Sequence, residues 1–369
     1  MCGIAGYWGT GDIRAMAAVI GHRGPDEEGF HAGGPVALAS KRLSVIDVEG
    51  GRQPISNAAG TAWIVYNGEV FNFQELRKEL SAKYAFRTAT DTEVVLHAYE
   101  EWGEDCLSRL NGQFAFAIWD GRRLFLARDR LGEKPLYYAV HDGTFLFASE
   151  IKSLLARVPA RPRIPADFAV FETCLGADTM FEGIYSLPPA HCMTYDGESV
   201  RARRWWDLEF AEPEGRSEDD YVEELRWLLE DSVRLRLISD VPLGLFLSGG
   251  LDSAVIAALA KPEVVFSCRF PLGEAYDEFH WAERIARHIG ARQHVVTPTA
   301  EDFRSRIENI IWHLDQPIAT ASSIAEFMLA ERAAEHVKVV LGGQGSDEIF
   351  GGYVRYLLMS AERDLGEAE

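Results

Sequence analysis

Apolar and polar positions along this chain follow two rhythms, and the change between them falls near residue 210. Before it, short apolar segments at 63–66, 114–119, 124–127 and 145–148 are punctuated by Asp-Gly and Asn-Gly pairs. Runs of that length between turn residues predict strands. Residues 72–80 and 92–102 instead carry helical spacing, and the second stretch is preceded by Thr90-Asp91 with Glu93 in its first turn, a helix-start pattern. The expectation is a strand-rich α+β domain over residues 2–206.

Residues 207–220 are acidic, hold Pro213 and Gly215 and lack periodicity, which reads as a linker. Beyond it, helix and strand patterns alternate. A helix over 221–238 would set Val222, Leu225, Leu229 and Val233 on one face. Strands are expected at 243–247, 264–270, 294–296 and 337–341, with helices at 254–259, 282–289 and 324–335. This alternation predicts an α/β domain with a parallel sheet over 221–369.

Composition narrows the partners. The 369 residues carry 37 Lys plus Arg against 57 Asp plus Glu, a net charge of −20, so phosphate backbones and anionic membranes are repelled. Neither a nucleic-acid nor a membrane partner is expected, and the sequence leaves a homodimer open. Cys2, Cys106, Cys174, Cys192 and Cys268 are odd in number and lack paired CxxC spacing. The reading is reduced thiols in a cytoplasmic protein, with the last four buried and structural.

Cys2 stands apart. Removal of Met1 would leave a thiol and an α-amine on one residue, and an amine titrating near ~8 can take the thiol proton. An equally simple reading makes Cys2 an accident of a short first strand. A glutamine-like substrate would need its carboxylate, ammonium and developing oxyanion held. Arg42 could offer a bidentate fork, and Glu69 and Asp91 could take the ammonium. The Asn67 amide and Gly68 N–H could project from a tight turn as oxyanion donors. Each residue also has a bland role: Asn-Gly as an ordinary hairpin turn, Arg42 as a solvated residue before a strand, Asp91 as a helix cap. In the second domain, Leu247-Ser248-Gly249-Gly250-Leu251-Asp252-Ser253 joins a buried strand to a helix. Backbone N–H groups and a helix N-terminus there suit a pyrophosphate, and Asp252 suits Mg²⁺. The run lacks the Gly-Lys-Ser/Thr ending of a Walker A loop.

Met1-Cys2-Gly3-Ile4-Ala5-Gly6, His22-Arg23-Gly24-Pro25-Asp26, Arg42-Leu43-Ser44, Tyr66-Asn67-Gly68-Glu69-Val70-Phe71-Asn72 and Thr90-Asp91-Thr92-Glu93 occur in the order seen in class II glutamine amidotransferases. The pattern resembles glutamine-hydrolysing asparagine synthetases, and Ser248 to Ser253 with Gly342-Gly343-Gln344-Gly345-Ser346-Asp347-Glu348 resembles their ATP pyrophosphatase signatures. The resemblance implies an N-terminal nucleophile glutaminase domain of stacked antiparallel sheets, followed by an ATP-binding synthetase domain. It assigns Cys2 as nucleophile, Asn67 and Gly68 as oxyanion hole, and Arg42, Glu69 and Asp91 as glutamine holders. Leu247, Phe270, Gly342 and Gly343 would line the ATP site with the first loop, and Asp252 and Asp347 would hold Mg²⁺ if their loops converge. Asp277-Glu278 and Asp315 match further family positions, and His22 is expected to support the glutamine pocket. The implied reaction adenylates aspartate with MgATP and captures the β-aspartyl-AMP with ammonia from glutamine.

Two departures qualify that expectation. Gln344 stands where family members carry a glutamate, and Gln cannot act as a general base. The family also continues past Gly351-Gly352-Tyr353 into helices that complete the acceptor pocket, so the synthetase half reads as cut short, exposing Tyr356, Leu357, Leu358 and Met359. Amidation of another carboxylate, in cell-surface sugar or natural-product assembly, and a truncated glutaminase or regulatory protein are the alternatives.

Overall fold

The computed structural model describes residues 1–210, 215–271, 273, 277–317 and 322–366. The chain divides into two compact units, one of residues 1–217 with 311–319 and one of residues 218–310 with 320–369.

In the N-terminal unit the strands are β1 (Gly3–Trp8), β2 (Glu27–Gly33), β3 (Val36–Arg42), β4 (Ile55–Ser56), β5 (Trp63–Val70), β6 (Gly112–Trp119), β7 (Leu124–Arg128), β8 (Tyr137–His141), β9 (Thr144–Ala148), β10 (Ile184–Ser186), β11 (His191–Tyr195) and β12 (Val200–Arg204). They form two six-stranded sheets in the orders β10-β8-β9-β1-β3-β2 and β12-β11-β7-β6-β5-β4, with every neighbouring pair antiparallel. Their inner faces share one core: Ile4, Leu38 and Phe147 from the first sheet pack with Val65, Ala115, Ala117 and Leu126 from the second. This is the stacked antiparallel arrangement expected of an N-terminal nucleophile fold. The helix Asp91–Trp102 has fully buried Val94, Val95, Leu96 and Ala98, and its Tyr99 stacks on Phe125 at 5.0 Å.

The second unit carries β13 (Leu243–Phe246), β14 (Val264–Cys268), β15 (Arg292–Val296) and β16 (Val339–Leu341) in the order β15-β14-β13-β16, all parallel. Leu245, Leu247 and Val265 pack with Ala257, Ala282 and Ala286 from the crossover helices. The chain order steps from β13 through β14 to β15, then returns to the other side of β13. That reversal creates a switch point beside the C-terminal ends of β13 and β16, where open α/β sheets take ligands.

Several expectations need correction. Asn67 and Gly68 lie inside β5, opposite Ala115 and Phe114, because strand pairing on β6 overrides the local turn signal. Arg42 ends β3 rather than preceding a strand, and residues 43–46 are not strand. The helix expected from 221 begins at Glu218, and its Val222 and Leu225 are exposed. A helix over Ala300–Leu314 escaped the reading. Cys106 and Cys192 are buried, whereas Cys174 and Cys268 are only partly so.

Candidate active site

Cys2 precedes β1, the strand held between β3 and β9. Its thiol faces the Leu43 carbonyl at 3.7 Å, and its own carbonyl accepts from Arg23 Nε at 2.9 Å. Burial pushes the thiol up from its ordinary value, opposed by the nearby amino terminus, the Leu43 contact and the Arg42 charge. The chain's amine, carried on Met1, is pushed down to about 6 chiefly by burial, with Arg23 and Lys134 adding to the effect. At about 6 the Met1 amine is mostly unprotonated at neutral pH.

The Asn67 side chain is almost fully buried, and its Nδ2 has no hydrogen-bond partner in the structure. A buried donor without an acceptor costs about 1–3 kcal/mol, and among the described residues this amide has none. Gly68 is required by close approach, since a Cβ there would sit 2.3 Å from the Gln113 carbonyl oxygen and 2.6 Å from Phe114 Cα. Asp91 is buried; one of its oxygens accepts from Tyr66 Oη at 2.8 Å and Val70 N at 2.9 Å. Burial raises its pKa against those bonds. Glu69 sits beside Asn67 and Gly68 on β5.

Arg42 is not the open fork the sequence implied. Nη1 donates to Glu27 at 2.8 Å and the Val48 carbonyl at 3.1 Å, while Nη2 donates to the carbonyls of Ile46 and Asp47 at 2.9 and 2.7 Å. Three of those bonds fold the 46–48 turn around the guanidinium and the fourth ties it to Glu27, so a ligand carboxylate would meet Nε or displace one of these partners. The turn that carries Asp91 is fixed by Glu93, which accepts from Arg87 N and from Thr88 N and Oγ1 at 2.7–3.0 Å. His97 stands between two carboxylates, 2.7 Å from Glu100 and 3.7 Å from Glu93. Burial alone would lower its pKa, but the two carboxylates raise it to about 9.

In the second unit β13 runs through buried Leu247 into Ser248-Gly249-Gly250 and the helix Leu251–Ala260. Ser248 Oγ and Ser253 Oγ are 2.9 Å apart, and Gly250 N donates to Ser248 Oγ at 3.1 Å, which closes the loop on itself. No side chain caps this helix, so its first N–H groups are not held by a side-chain cap, which leaves them available to an anion. β16 pairs with β13, aligning Leu341 with Leu245, and brings the second glycine run alongside. A Cβ on Gly343 would lie 3.2 Å from both Asp252 Cβ and Ser253 N. The two loops therefore converge. Asp347 lies in the first turn of the short helix Ser346–Phe350, Phe270 is partly buried after β14, and Gln344 is exposed.

Two family models match the chain: the glutamine amidotransferase domain over residues 1–206 and asparagine synthase over residues 224–368. The chain belongs to the glutamine-hydrolysing asparagine synthetase family. "Asparagine synthetase [glutamine-hydrolyzing] 3" of Bacillus subtilis is 36% identical over 96% of this chain and 63% of its own length. "Putative asparagine synthetase [glutamine-hydrolyzing] 2" of Methanocaldococcus jannaschii is 32% identical over 97% of this chain and 76% of its own. "Amidase chry2" of Gibberella zeae is 34% identical over 93% and 55% respectively. The chain thus spans 63% and 59% of the two Bacillus subtilis synthetases it matches.

The sequence pattern assigns no partner to Arg23, Glu150 or Lys152. Arg23 Nη1 donates to Glu150 at 2.8 Å, and His22 Nε2 lies 2.9 Å from the same oxygen. Lys152 pairs with Glu150 on one side and with Asp315 at 3.1 Å on the other. Arg23 belongs to the His22-to-Asp26 motif, but only tertiary structure brings it to the Cys2 carbonyl. Asp315, which matches a further family position, groups with the N-terminal unit. Among the described residues no cluster of three or more His, Cys, Asp or Glu could hold a metal, and no helix is long and apolar enough to cross a membrane.

Proposed function

We propose that this chain is a glutamine-dependent, ATP-driven amide-forming synthetase with aspartate as acceptor. The observation that carries the glutaminase half is the buried, unpartnered Asn67 Nδ2. In the proposed reaction the free amine of processed Cys2 takes the thiol proton, and the thiolate adds to the glutamine side-chain carbonyl. Asn67 Nδ2 and the Gly68 N–H receive the oxyanion. Asp91, with Glu69, holds the substrate ammonium, and Arg42 orients its carboxylate. Collapse, with the amine returning its proton to the leaving nitrogen, releases ammonia and leaves a thioester, which water resolves to glutamate.

The synthetase half rests on convergence of the two glycine loops. Ser248, Gly249, Gly250 and Ser253 would cradle pyrophosphate oxygens, with Leu247, Phe270, Gly342 and Gly343 around the nucleotide. Asp252 and Asp347 fit Mg²⁺ bound with a polyphosphate, which takes one or two protein carboxylates and fills its remaining positions with phosphate oxygens and water. The bound ion would neutralise charge on the departing pyrophosphate. A second reading, amidation of a different carboxylate, draws on the exposed, neutral Gln344.

The deciding experiment measures glutamate release from glutamine, and pyrophosphate release from MgATP with aspartate and with a panel of other carboxylates. Wild type and Cys2→Ala are compared. Aspartate-dependent pyrophosphate in both proteins, with glutamine use lost only in the variant, is the expected result. Glutamate release with pyrophosphate dependent on another carboxylate would replace aspartate as acceptor, and pyrophosphate release with none would defeat the synthetase half.

A further inference from the structure

The Cys2 carbonyl sits at one end of a buried line of alternating charge. Arg23 Nε donates to it at 2.9 Å, and Arg23 Nη1 donates to Glu150 at 2.8 Å. The other Glu150 oxygen takes Lys152 Nζ, which also lies 3.1 Å from Asp315 Oδ1, while Lys152 N donates to Asp315 Oδ2 at 3.3 Å. The side chains of Arg23, Glu150, Lys152 and Asp315 are all at most 10% exposed. Trp312 closes the line, with Lys152 Nζ 4.6 Å above its ring and the His22 ring 4.9 Å away.

We propose that Glu150 is a positioning residue for the N-terminal nucleophile, holding Arg23 on the Cys2 carbonyl, and that Lys152 and Asp315 fix Glu150 in turn. The proposal rests on the glutaminase reading of Cys2. Ladder pairing on β1 begins at Gly3, opposite Lys41, so Cys2 lies outside it. The carbonyl bond from Arg23 restrains rotation about the Cys2 main chain and therefore the direction of both thiol and amine. Geometry errors of this kind are felt in the chemical step. The proposed glutamine holders Arg42 and Asp91 make none of the line's bonds, so substrate affinity stands apart from it. Neutralising Glu150 weakens the charged partner that Arg23 Nη1 donates to, and removing the Lys152 charge frees Glu150 to turn away.

The test uses protein whose N-terminal Cys2 is verified by mass, as wild type, Glu150→Gln, Lys152→Gln, Lys152→Arg and Asp315→Asn. Expected are a kcat for glutamine hydrolysis at least tenfold lower in Glu150→Gln and Lys152→Gln, KM within threefold, a smaller loss in Asp315→Asn, and recovery to within threefold in Lys152→Arg. Alkylation of Cys2 by iodoacetamide is followed in the same proteins and should quicken at least threefold as kcat falls, because an unpinned thiol leaves its buried position. If Glu150→Gln fails to fold, the Lys152 pair carries the test. Folded variants with wild-type kcat and wild-type alkylation overturn the proposal, as does a Lys152→Arg loss equal to that of Lys152→Gln. A wild type that hydrolyses no glutamine defeats the glutaminase reading instead, and alkylation still reports the positioning.

Discussion

Replacing Asn67 by Leu separates a functional amide from a structural one, because the two roles predict opposite changes in activity and stability. Asn67 is 1% exposed, and its Nδ2 meets no acceptor among the described residues. Deleting a single oxyanion donor typically costs 10²–10³ in kcat, about 3–4 kcal/mol of barrier. The folded state loses little, since the unmet donor already costs about 1–3 kcal/mol and Leu has similar bulk. At roughly 2–4 °C per kcal/mol for a domain of this size, the melting temperature should stay within about 3 °C of wild type. Steady-state glutamate release across a range of glutamine concentrations gives kcat and KM, and circular dichroism gives the melting curve. A kcat within threefold of wild type would remove Asn67 from the oxyanion hole. A melting loss beyond about 8 °C would make the amide structural and refute the argument from its missing partner.

Gly68→Ala should cost about 1–3 kcal/mol or more in urea unfolding, because the new methyl meets the β6 backbone rather than a movable side chain; an unchanged midpoint would contradict the close pairing. His97 has its pKa raised to about 9, so its stabilising contribution is fully present below the unfolded value near ~6.5 and is lost as pH rises through 9. Urea unfolding from pH 6 to 10 should record a loss of about 3 kcal/mol, and His97→Gln should flatten that slope. Asp129 accepts from the N–H groups of Phe114, Leu131, Glu133 and Lys134, so Asp129→Ala should lower stability by about 3 kcal/mol. Retention of the wild-type urea midpoint would show those donors finding other acceptors.

What the sequence disclosed depended on whether the signal was local. The apolar runs at 114–119 and 145–148 became β6 and β9 with small shifts at their ends, and Thr90 caps the Asp91 helix by accepting from Glu93 N at 3.2 Å. Asn67-Gly68 misled because pairing with a neighbour over 40 residues away outweighs a two-residue preference. The missed helix Ala300–Leu314 did carry a signal. Thr299 and Asp302 exchange bonds, Thr299 N to Asp302 Oδ2 at 3.0 Å and Asp302 N to Thr299 Oγ1 at 3.1 Å, a capping-box arrangement. Arg42 was placed at the site by its motif, yet nothing in linear order shows that its guanidinium gathers three carbonyls of its own turn. The bonds from Arg23 to Glu150 and from Lys152 to Asp315 join residues more than 100 positions apart, beyond the range of any periodicity.

The place of β1 sets a deadline for maturation. The strand is enclosed by β3 on one side and β9 on the other, with Ala5 opposite both Ala39 and Ala148, and the amine of Met1 is buried although its side chain is exposed. On the proposed reading of Cys2 as nucleophile, the Met1–Cys2 bond is cut more readily while the end of the chain is still loose. At ~5–20 residues per second, ribosomal synthesis of β9 follows that of Cys2 by roughly 10–30 s. Methionine removal thus competes with sheet closure, and molecules that fold first would keep a blocked thiol. On the proposed reading, the fraction of protein able to hydrolyse glutamine would then record the outcome of that race, fixed at birth and unchanged by later purification.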